Sequence, residues 1–497
     1  MPRSFARAPV VLLFSLAFAH AQEVAPSKPL TLEDAVALAM RKNFDLRIQA
    51  YSTDTAREAL AVARADFDPT INGAVVRSVN QSASNTSRLD GSQTEGPRND
   101  STSARIGVTE RLAPTGGTVN VSTNVTRGAT NSTNALLNPT FGNGISASLS
   151  QPLLRGAGRT NATAAIERSK LGLDIAGLNY TSRVLTVIRD TENAYYNLVS
   201  ARETLRIRQL TLEYNQRLFE ENDARRSTGV ATDLDVLTAE VGVANARRAL
   251  VQAGQLVSDR EDALLNLINV PDFTVRPGPV SFDEFREGAP TFATSYKLAR
   301  DRYPDTLSAQ DTIKQLEIDL AVARQNTKPT VNLDASLGYT AKATRDGYYE
   351  AFQSLPSEHG NNWSVGLSYS IPWGAHADKA RYRSAQASLN SQKTRLDQLE
   401  QSLVVQVRGA VRAVETNLVS IAIAAKATEL SARQYDLQKA RFDNGLSTSR
   451  LVLQAQDDLE TARFNELSAK ATLRAAIAEL HRLEGSSIER FRVQLPQ

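Results

Sequence analysis

Proline is unevenly distributed along this chain of 497 residues, and its absence from two long stretches limits the possible folds more than any other feature. None occurs between Pro152 and Pro271, or between Pro372 and Pro496. Both stretches are rich in Ala, Leu, Arg, Gln and Glu, which favour helix, whereas proline breaks a helix interior. Long α-helices are therefore predicted in both. The first, over residues 161–226, would extend roughly 100 Å at ~1.5 Å per residue.

One glycine-containing segment in each stretch is predicted to turn the chain back into an antiparallel helical hairpin. Asp443-Asn444-Gly445 has the Asn-Gly composition of a helix end, and Ser227-Thr228-Gly229 lies at the matching place. After each turn, a predominantly apolar seam recurs in alternating steps of three and four, as in a coiled coil. The seams are Val236, Ala239, Val243, Ala246, Leu250, Ala253, Val257, Arg260, Leu264, Leu267 and Val452, Ala455, Leu459, Ala462, Glu466, Ala469, Leu473, Ala476, Leu480, Leu483.

The chain contains an internal duplication. Residues 31–72 align without a gap on residues 291–332, with twelve identities, against about three expected for ordinary composition. A second alignment, at a shift of 216 positions, pairs Gly229 with Gly445. The predicted organisation is a signal peptide over 1–21, a first repeat over 22–270, a connector over 271–290, a second repeat over 291–485 and a C-terminal tail over 486–497.

The predicted signal peptide has a basic start, an apolar stretch over residues 10–19 and the small-residue cleavage site Ala19-His20-Ala21. An uncleaved anchor is the alternative, although the apolar stretch is short for a membrane span. Removing its two arginines from the net charge of +3 leaves +1, which gives no reason to expect a nucleic-acid partner. The chain has no cysteine, which excludes disulfides and thiolate metal sites.

Residues 363–373 alternate with a period of two, as in a strand with one apolar and one polar face. The apolar positions are Trp363, Val365, Leu367, Tyr369, Ile371 and Trp373. Trp363 and Trp373 would lie roughly 23 Å apart along the membrane normal, like an aromatic belt at both interfaces. One face would then meet lipid and the other a watery lumen. The alternative is a half-buried strand of a soluble sandwich.

Further alternation over residues 331–339 and 145–149 predicts more strands, and residues 105–112 and 118–126 predict an additional hairpin. Polar loops are expected over residues 80–101 and 340–361. The first half would hold four strands and the second two. Three chains would supply twelve strands without the hairpin and eighteen with it, and barrel geometry permits either number.

Four segments resemble the TolC-type outer-membrane efflux protein family. Residues 148–159 (SLSQPLLRGAGR) and 365–372 (VGLSYSIP) look like the family's passages from strand to helix. Residues 229–240 and 445–456 look like its two helical-turn motifs. The resemblance covers residues 29–485, and the order of the motifs within a duplicated frame makes it specific.

The resemblance implies an α+β membrane protein with a TolC-like fold. Long helical hairpins would form a periplasmic α-barrel, and the strands would contribute to a trimeric outer-membrane β-barrel. Such a homotrimer conducts exported molecules passively, in drug efflux or type I secretion, without a cofactor. Its partners would be a periplasmic adaptor (membrane fusion) protein, an inner-membrane pump of unknown class, and outer-membrane lipid. We expect a location in the outer membrane of a Gram-negative cell, extending into the periplasm.

On this resemblance, nine residues at the two turns would form the periplasmic tip, contact the adaptor and narrow the pore. They are Arg225, Ser227, Thr228, Gly229, Val230, Asn444, Gly445, Leu446 and Ser447. Local structure offers a second interpretation, in which the two glycines are helix C-caps and the threonines that follow each turn are N-caps. The two interpretations are compatible.

Asp235 and Asp443 are candidates for a pore constriction. Asp235 lies where the family places a carboxylate near the closed tip, but it also fits a capping box with Thr232, and both interpretations remain open. In the second turn, Leu451 and Gln454 occupy positions where family members often carry a ring of aspartates. An acidic ring there is expected only if Asp443 substitutes.

The sequence contains no metalloprotease, P-loop or nucleophile-elbow motif. Its histidines outside the predicted signal peptide, His359, His376 and His481, are widely separated and are expected to be solvated. The chain is therefore predicted not to be an enzyme. The alternative to a channel is a periplasmic coiled-coil scaffold without a pore, which explains the heptads but not the strands suited to lipid.

Overall fold

The computed structural model describes residues 29–83, 85–86, 93–94, 96–132, 135–270, 276–282, 288–343, 347–353, 355 and 360–495. The predicted signal peptide, the parts of the predicted connector at 271–275 and 283–287, and His359 lie outside these residues.

The elements follow one another in an order that repeats between the two halves. The helices are α1 (Leu32–Lys42), α2 (Phe44–Ala65), α3 (Arg159–Ala162), α4 (Ala164–Ser227), α5 (Asp233–Leu267), α6 (Phe292–Arg302), α7 (Pro304–Asn326), α8 (Tyr348–Gln353), α9 (His376–Asp443), α10 (Ser449–Glu484) and α11 (Ser487–Arg490). The strands are β1 (Thr70–Gln81), β2 (Asn85–Thr86), β3 (Gln93–Thr94), β4 (Arg98–Arg111), β5 (Thr118–Thr130), β6 (Thr140–Pro152), β7 (Thr330–Ala343) and β8 (Gly360–Ser370). Two helices precede β1, and two helices likewise precede β7.

The two proline-free stretches form the long helices that the sequence predicts. Helix α4 spans 64 residues and α9 spans 68, so each extends about 100 Å at ~1.5 Å per residue. Among the helices of the described ranges, none combines the length and apolarity that a membrane span requires.

The described chain divides into two compact units, each of which draws on both halves of the duplication. The first consists of the described residues of Met1–Leu38, Thr191–Arg286 and Ala424–Ala471. The second consists of the described residues of Ala39–Asp190, Glu287–Ile423 and Thr472–Gln497. The first unit contains both helical turns, and the second contains the main β-sheet.

The first unit has a core along α4, where Leu198 is fully buried, as is Leu264 of α5. Arg202 of α4 donates hydrogen bonds from Nη2 to the Pro277 carbonyl, at 2.7 Å, and from Nη1 to a neighbouring carbonyl. The described part of the predicted connector, residues 276–282, is therefore held against α4.

The predicted heptad seams are largely confirmed by burial, because most of their apolar members, such as Ala239 and Val452, lie in the interior. The first seam is wrong at Arg260, which is exposed. Its neighbour Glu261 is buried instead and forms an ion pair with Arg202, with 2.7 Å between Oε1 and Nη2. A buried carboxylate is tolerated there because a cation on the facing helix pairs with it.

In the second unit, six strands form one antiparallel sheet in the order β1-β4-β5-β6-β7-β8. The additional hairpin predicted from the sequence is β4 and β5, and it lies inside this sheet. Four strands come from the first half and two from the second, as predicted. Strands β1 and β8 are the edges, and β2 pairs separately with β3.

The two predicted polar loops are wrong at their ends. Strand β4 begins at Arg98, which pairs with Gln81 of β1, so the β1–β4 ladder extends into the predicted loop over residues 80–101. Similarly, β7 continues to Ala343 and is followed by α8, inside the predicted loop over residues 340–361. Backbone pairing continues because it requires no apolar side chains, whereas the prediction relied on side-chain alternation.

The strand predicted over residues 363–373 is displaced by three residues towards the N-terminus. It spans Gly360–Ser370, and Trp373 begins a short 3-10 helix over Trp373–Ala375. Pro372 has no amide hydrogen to donate to a strand partner, and Gly374 adopts a φ of +75°. The chain therefore leaves the sheet before Trp373.

Candidate functional site

Both helical turns leave their first helix through a glycine in the left-handed region. The φ angle is +79° at Gly229 and +74° at Gly445. The residue after each glycine donates its amide to a carbonyl five residues earlier. These bonds join Val230 to Arg225 at 2.9 Å and Leu446 to Arg441 at 2.8 Å. This is the Schellman arrangement of a helix C-terminus, so the C-cap interpretation holds for both turns.

Most of the nine predicted tip residues are exposed. Exposed are Ser227, Thr228, Gly229, Val230, Asn444, Gly445 and Leu446, whereas Arg225 and Ser447 are partly buried. Val230 and Leu446 present large apolar side chains that are 75% and 70% exposed. Several of the polar side chains satisfy the carbonyls of their own helix end, such as Asn444, whose Nδ2 donates to Ala440 O at 2.7 Å.

Asp235 forms the capping box that the sequence allowed. Its Oδ2 accepts hydrogen bonds from the Thr232 amide, at 3.0 Å, and the Thr232 hydroxyl, at 2.7 Å. Its Oδ1 accepts from Ser449 Oγ, at 3.2 Å, at the start of α10. The Thr232 hydroxyl and amide, more than Ser449, hold the pKa of Asp235 below its ordinary value despite partial burial. Asp235 thus connects the first turn to the second.

Arg225 makes the second connection between the turns. Its Nη1 donates to the carbonyl oxygen of Phe442 at 3.0 Å, and its Cζ lies 4.1 Å from the centroid of the Phe442 ring. Phe442 is buried together with Leu218 and Val452. The last turn of α9 is therefore fixed to α4 by a hydrogen bond, a cation–π contact and an apolar cluster.

Asp443 lies in a different setting from Asp235. It is exposed, and its Oδ1 accepts a hydrogen bond from Lys439 Nζ at 3.0 Å. Lys439 also donates to both carboxylate oxygens of Glu221 on α4. Burial lowers the pKa of Lys439, but these hydrogen bonds outweigh burial and leave the pKa raised. Asp443 therefore belongs to an exposed charge network.

Farther along α4, two more contacts join the two hairpins. Arg208 forms an ion pair with Glu460 of α10, and its Cζ lies 4.4 Å from the centroid of the Phe464 ring. Gln456 Nε2 donates to the Thr211 carbonyl at 3.3 Å. Burial raises the pKa of Glu460, and the Arg208 charge opposes that shift. Sequence reasoning missed these contacts, as it missed Phe442, Lys439 and Ser449, because they join residues more than 200 positions apart.

One face of the six-stranded sheet is apolar across every strand. A single cross-strand row consists of Ile71, Val108, Val121, Ala147, Leu337 and Trp363. These side chains are not covered by another layer, since Trp363 is 75% exposed and Ile71 is 72% exposed. Trp373 is fully exposed. An uncovered apolar face of this extent indicates contact with lipid or another protein.

The opposite face of the sheet is polar and is crossed by side-chain hydrogen bonds. These join Asn120 to Thr109 at 2.7 Å, Ser336 to Ser364 at 2.8 Å, and Ser150 to Asp334 at 2.7 Å. Alternation between an apolar and a polar face is the pattern of a transmembrane barrel strand, with lipid on one side and water on the other.

The described residues contain no cluster of His, Asp and Glu suited to a metal ion. His376 begins α9, and His481 Nδ1 lies 3.0 Å from Nη1 of Arg490.

Long helical hairpins, a duplicated frame and a sheet with one exposed apolar face are together the features of a membrane-associated protein. The family described as "Outer membrane efflux protein" matches residues 113–270 and 295–486. The chain belongs to the outer membrane efflux protein family. The predicted family, TolC-like fold class and outer-membrane location are thereby confirmed.

Curated relatives and a solved structure agree with this assignment. The chain is 25% identical over 301 residues to "Pyoverdine export outer membrane protein OpmQ" of Pseudomonas aeruginosa, covering 59% of this chain and 61% of the relative. It is 23% identical over 331 residues to "Outer membrane protein TolC" of Escherichia coli, covering 62% and 64%. The matched part therefore spans less than two thirds of either relative. The CmeC outer membrane channel of Campylobacter jejuni shares the fold, with a TM-score of 0.67, 17% identity and coverage of 94% and 90%.

Proposed function

We propose that this chain is the outer-membrane channel of an export system and conducts substrates passively from the periplasm to the exterior. The observation that carries this proposal is the exposed apolar face of the six-stranded sheet in a member of the outer membrane efflux protein family. In water such a face would favour aggregation, whereas in a bilayer it is solvated by lipid. A periplasmic scaffold would leave this face unexplained.

The channel is a homotrimer in this proposal. A single six-stranded sheet has two open edges, and open edges do not persist in the hydrocarbon region, because their amides and carbonyls would lack partners. Association of identical chains around one axis closes the sheet and leaves no edge.

The two helical turns form the periplasmic end of the channel in this proposal. The exposed apolar side chains of Val230 and Leu446 suit contact with a periplasmic adaptor protein, which would couple the channel to an inner-membrane pump. Asp235 and Arg225 join the two turns and would hold the pore narrow. Asp443, on an exposed surface, would contribute charge at the same end. The pump supplies the energy, and the channel itself catalyses no reaction.

The test is to extract the protein from isolated outer membranes with detergent and measure its oligomeric mass. A species of three chains without the predicted signal peptide is expected, so its mass should be slightly below three times the full-chain mass of 54.1 kDa. Recovery of the mature protein only from the soluble periplasm would contradict the proposal, as would a monomer in detergent, and either result would favour the scaffold.

A further inference from the structure

Resting on the trimeric channel proposed above, we propose that the β4–β5 hairpin is part of the membrane-embedded wall. Three copies then close a barrel of eighteen strands, rather than twelve, by pairing β1 of one copy with β8 of the next. Eighteen is three times the six strands of one sheet, and twelve is three times the four strands that remain without the hairpin.

The strand order places the β4–β5 hairpin inside the sheet. Strand β1 pairs with β4 along its whole length, from Thr70 with Thr109 to Gln81 with Arg98. Strand β6 pairs with β5 and β7. A four-stranded wall without the hairpin would require β1 to pair with β6, and the sheet does not contain that pairing. The hairpin is therefore a structural part of the sheet and not an appendage to it.

The apolar face of the sheet passes through the hairpin without interruption. On β4 the side chains of Ile106 and Val108 lie on this face, and Val121 continues it on β5. Ile106 is 55% exposed, comparable with Val365 of β8 at 65%. In a hairpin that projected into water, exposed apolar side chains in register with those of the neighbouring strands would be unfavourable.

The apolar band on β4 has a height that suits the hydrocarbon region of a membrane. On the apolar face, Glu110 lies at one end and Asp100 at the other, and the positions between them carry no charge. Ten residues at ~3.4 Å each, with a strand tilt of ~40°, span roughly 26 Å, close to the ~25 Å apolar band of outer-membrane barrels. Asp100 also pairs with Arg77 of β1, with 2.8 Å between Oδ2 and Nη2. Arg77 and Arg127 lie on the same face at the level of Thr102, beside Asp100, so these charges mark one boundary of the band and Glu110 marks the other.

The two edges of the sheet are suited to pair with each other. Every residue of β1 and of β8 is exposed, whereas the inner strands are partly covered. Because the sheet has six antiparallel strands, β1 and β8 run in opposite directions. The β8 edge of one copy can therefore pair with the β1 edge of the next as one more antiparallel neighbour, and all edge amides and carbonyls find partners.

An eighteen-stranded wall would make the lumen of the barrel wider than a twelve-stranded wall. Barrel diameter grows roughly linearly with strand number, so eighteen strands give a barrel about 1.5-fold wider than twelve. Barrels of about this size enclose an aqueous channel, which agrees with the polar, hydrogen-bonded inner face. The outer-membrane passage would then admit bulkier hydrophilic substrates than a twelve-stranded wall.

The test uses the absence of native cysteine, which allows one spin label per chain. Ile106→Cys and Arg105→Cys place labels on the two faces of β4, and Val365→Cys and Ser364→Cys provide the matched pair on β8. Accessibility to oxygen, which concentrates in lipid, is compared with accessibility to a water-soluble nickel chelate in proteoliposomes. We expect the oxygen-to-nickel ratio to be several-fold higher at position 106 than at 105, and at position 365 than at 364.

The outcomes separate the two proposals. If position 365 is in lipid but position 106 is in water, the eighteen-stranded wall is wrong and the proposed channel survives. If positions 365 and 106 are both in water, the channel itself is contradicted. Electron cryomicroscopy of the unmodified protein in nanodiscs gives an independent count. Eighteen strands would support the inference, and twelve would overturn it.

Discussion

The two helical turns have the same backbone geometry but different side chains projecting from it. Gly229 and Gly445 occupy equivalent left-handed positions, with the same hydrogen bond around each. In the first turn, Arg225 and Asp235 contact the second hairpin. Their counterparts in the second turn are Arg441 and Leu451, both exposed. Within the described residues, the Arg441 guanidinium has no hydrogen-bond or ion-pair partner.

The comparison separates two requirements on a duplicated helical hairpin. Reversing the chain within a few residues requires a left-handed glycine and satisfied end carbonyls, so both copies keep these features. The two hairpins are held together when residues of the first turn, such as Arg225 and Asp235, find partners on the second hairpin. The equivalent positions of the second turn do not need to make the same contacts, so the two copies can differ at these positions.

The largest difference between the two turns is expected at Arg225 and at its counterpart in the second turn, Arg441. Arg225→Ala removes a hydrogen bond to a carbonyl and a cation–π contact, so it should lower the local opening free energy of the last turn of α9 by about 2–3 kcal/mol. Arg441→Ala, the matched control, should change it by less than about 0.5 kcal/mol. Hydrogen–deuterium exchange of the peptides that cover the turns measures both values. Equal effects of the two variants would contradict the difference between the two turns.

The shared backbone predicts equal effects at the two glycines. Gly229→Ala and Gly445→Ala should each cost about 1–2 kcal/mol, because an L-residue is strained in this region although no neighbouring atom blocks the added methyl group. The control is Gly254→Ala inside α5, where the same change should stabilise the helix by up to ~1 kcal/mol. Thermal unfolding in detergent, followed by helical circular dichroism, provides the measurement. A cost at one turn alone would show that the two turns are not equivalent.

Asp235→Asn tests the capping box, and its effect should be about 1 kcal/mol at neutral pH. Because the folded-state pKa of Asp235 is lowered, its stabilisation is present above the ordinary pKa of about 3.9 and is lost as pH falls through the folded value. The difference between wild type and variant should therefore disappear in acid. Exchange of the first α5 amides measured at several pH values would show this. A difference that persists below both pKa values would contradict the assigned role.

The smallest effect is expected at Asp443. Its exposed pair with Lys439 should contribute less than about 0.5 kcal/mol, and Lys439 retains Glu221 when Asp443 is removed. Asp443→Ala should therefore leave exchange at the second turn nearly unchanged. An effect as large as that of Asp235→Asn would show that Asp443 holds the turn in place.

The turns and long helices could be predicted because their causes are local. Proline is absent over whole helices, and a left-handed position selects glycine, so residues 227–229 and 443–445 were identified from the sequence alone. The connection between Arg225 and Phe442 could not be predicted, since it depends on how helices far apart in sequence pack. Arg260 was misassigned for the same reason, because the heptad period does not show which neighbour faces Arg202.

The sheet was predictable where side chains alternate and unpredictable where they do not. Alternation over residues 105–112 and 118–126 indicated the central hairpin, but the sequence left open whether it joins the other strands. The register supplied that information by placing β4 beside β1 and β5 beside β6. The end of β8 depended on Pro372 and Gly374 rather than on the apolar pattern that continues to Trp373.

Single-channel recording in planar lipid bilayers shows whether the purified protein conducts. We expect discrete current steps for the purified protein, larger steps for Arg225→Ala, in which the connection between the turns is broken, and unchanged steps for Arg441→Ala. If wild type and both variants insert into the bilayer as intact oligomers but carry no current, the protein is not a channel.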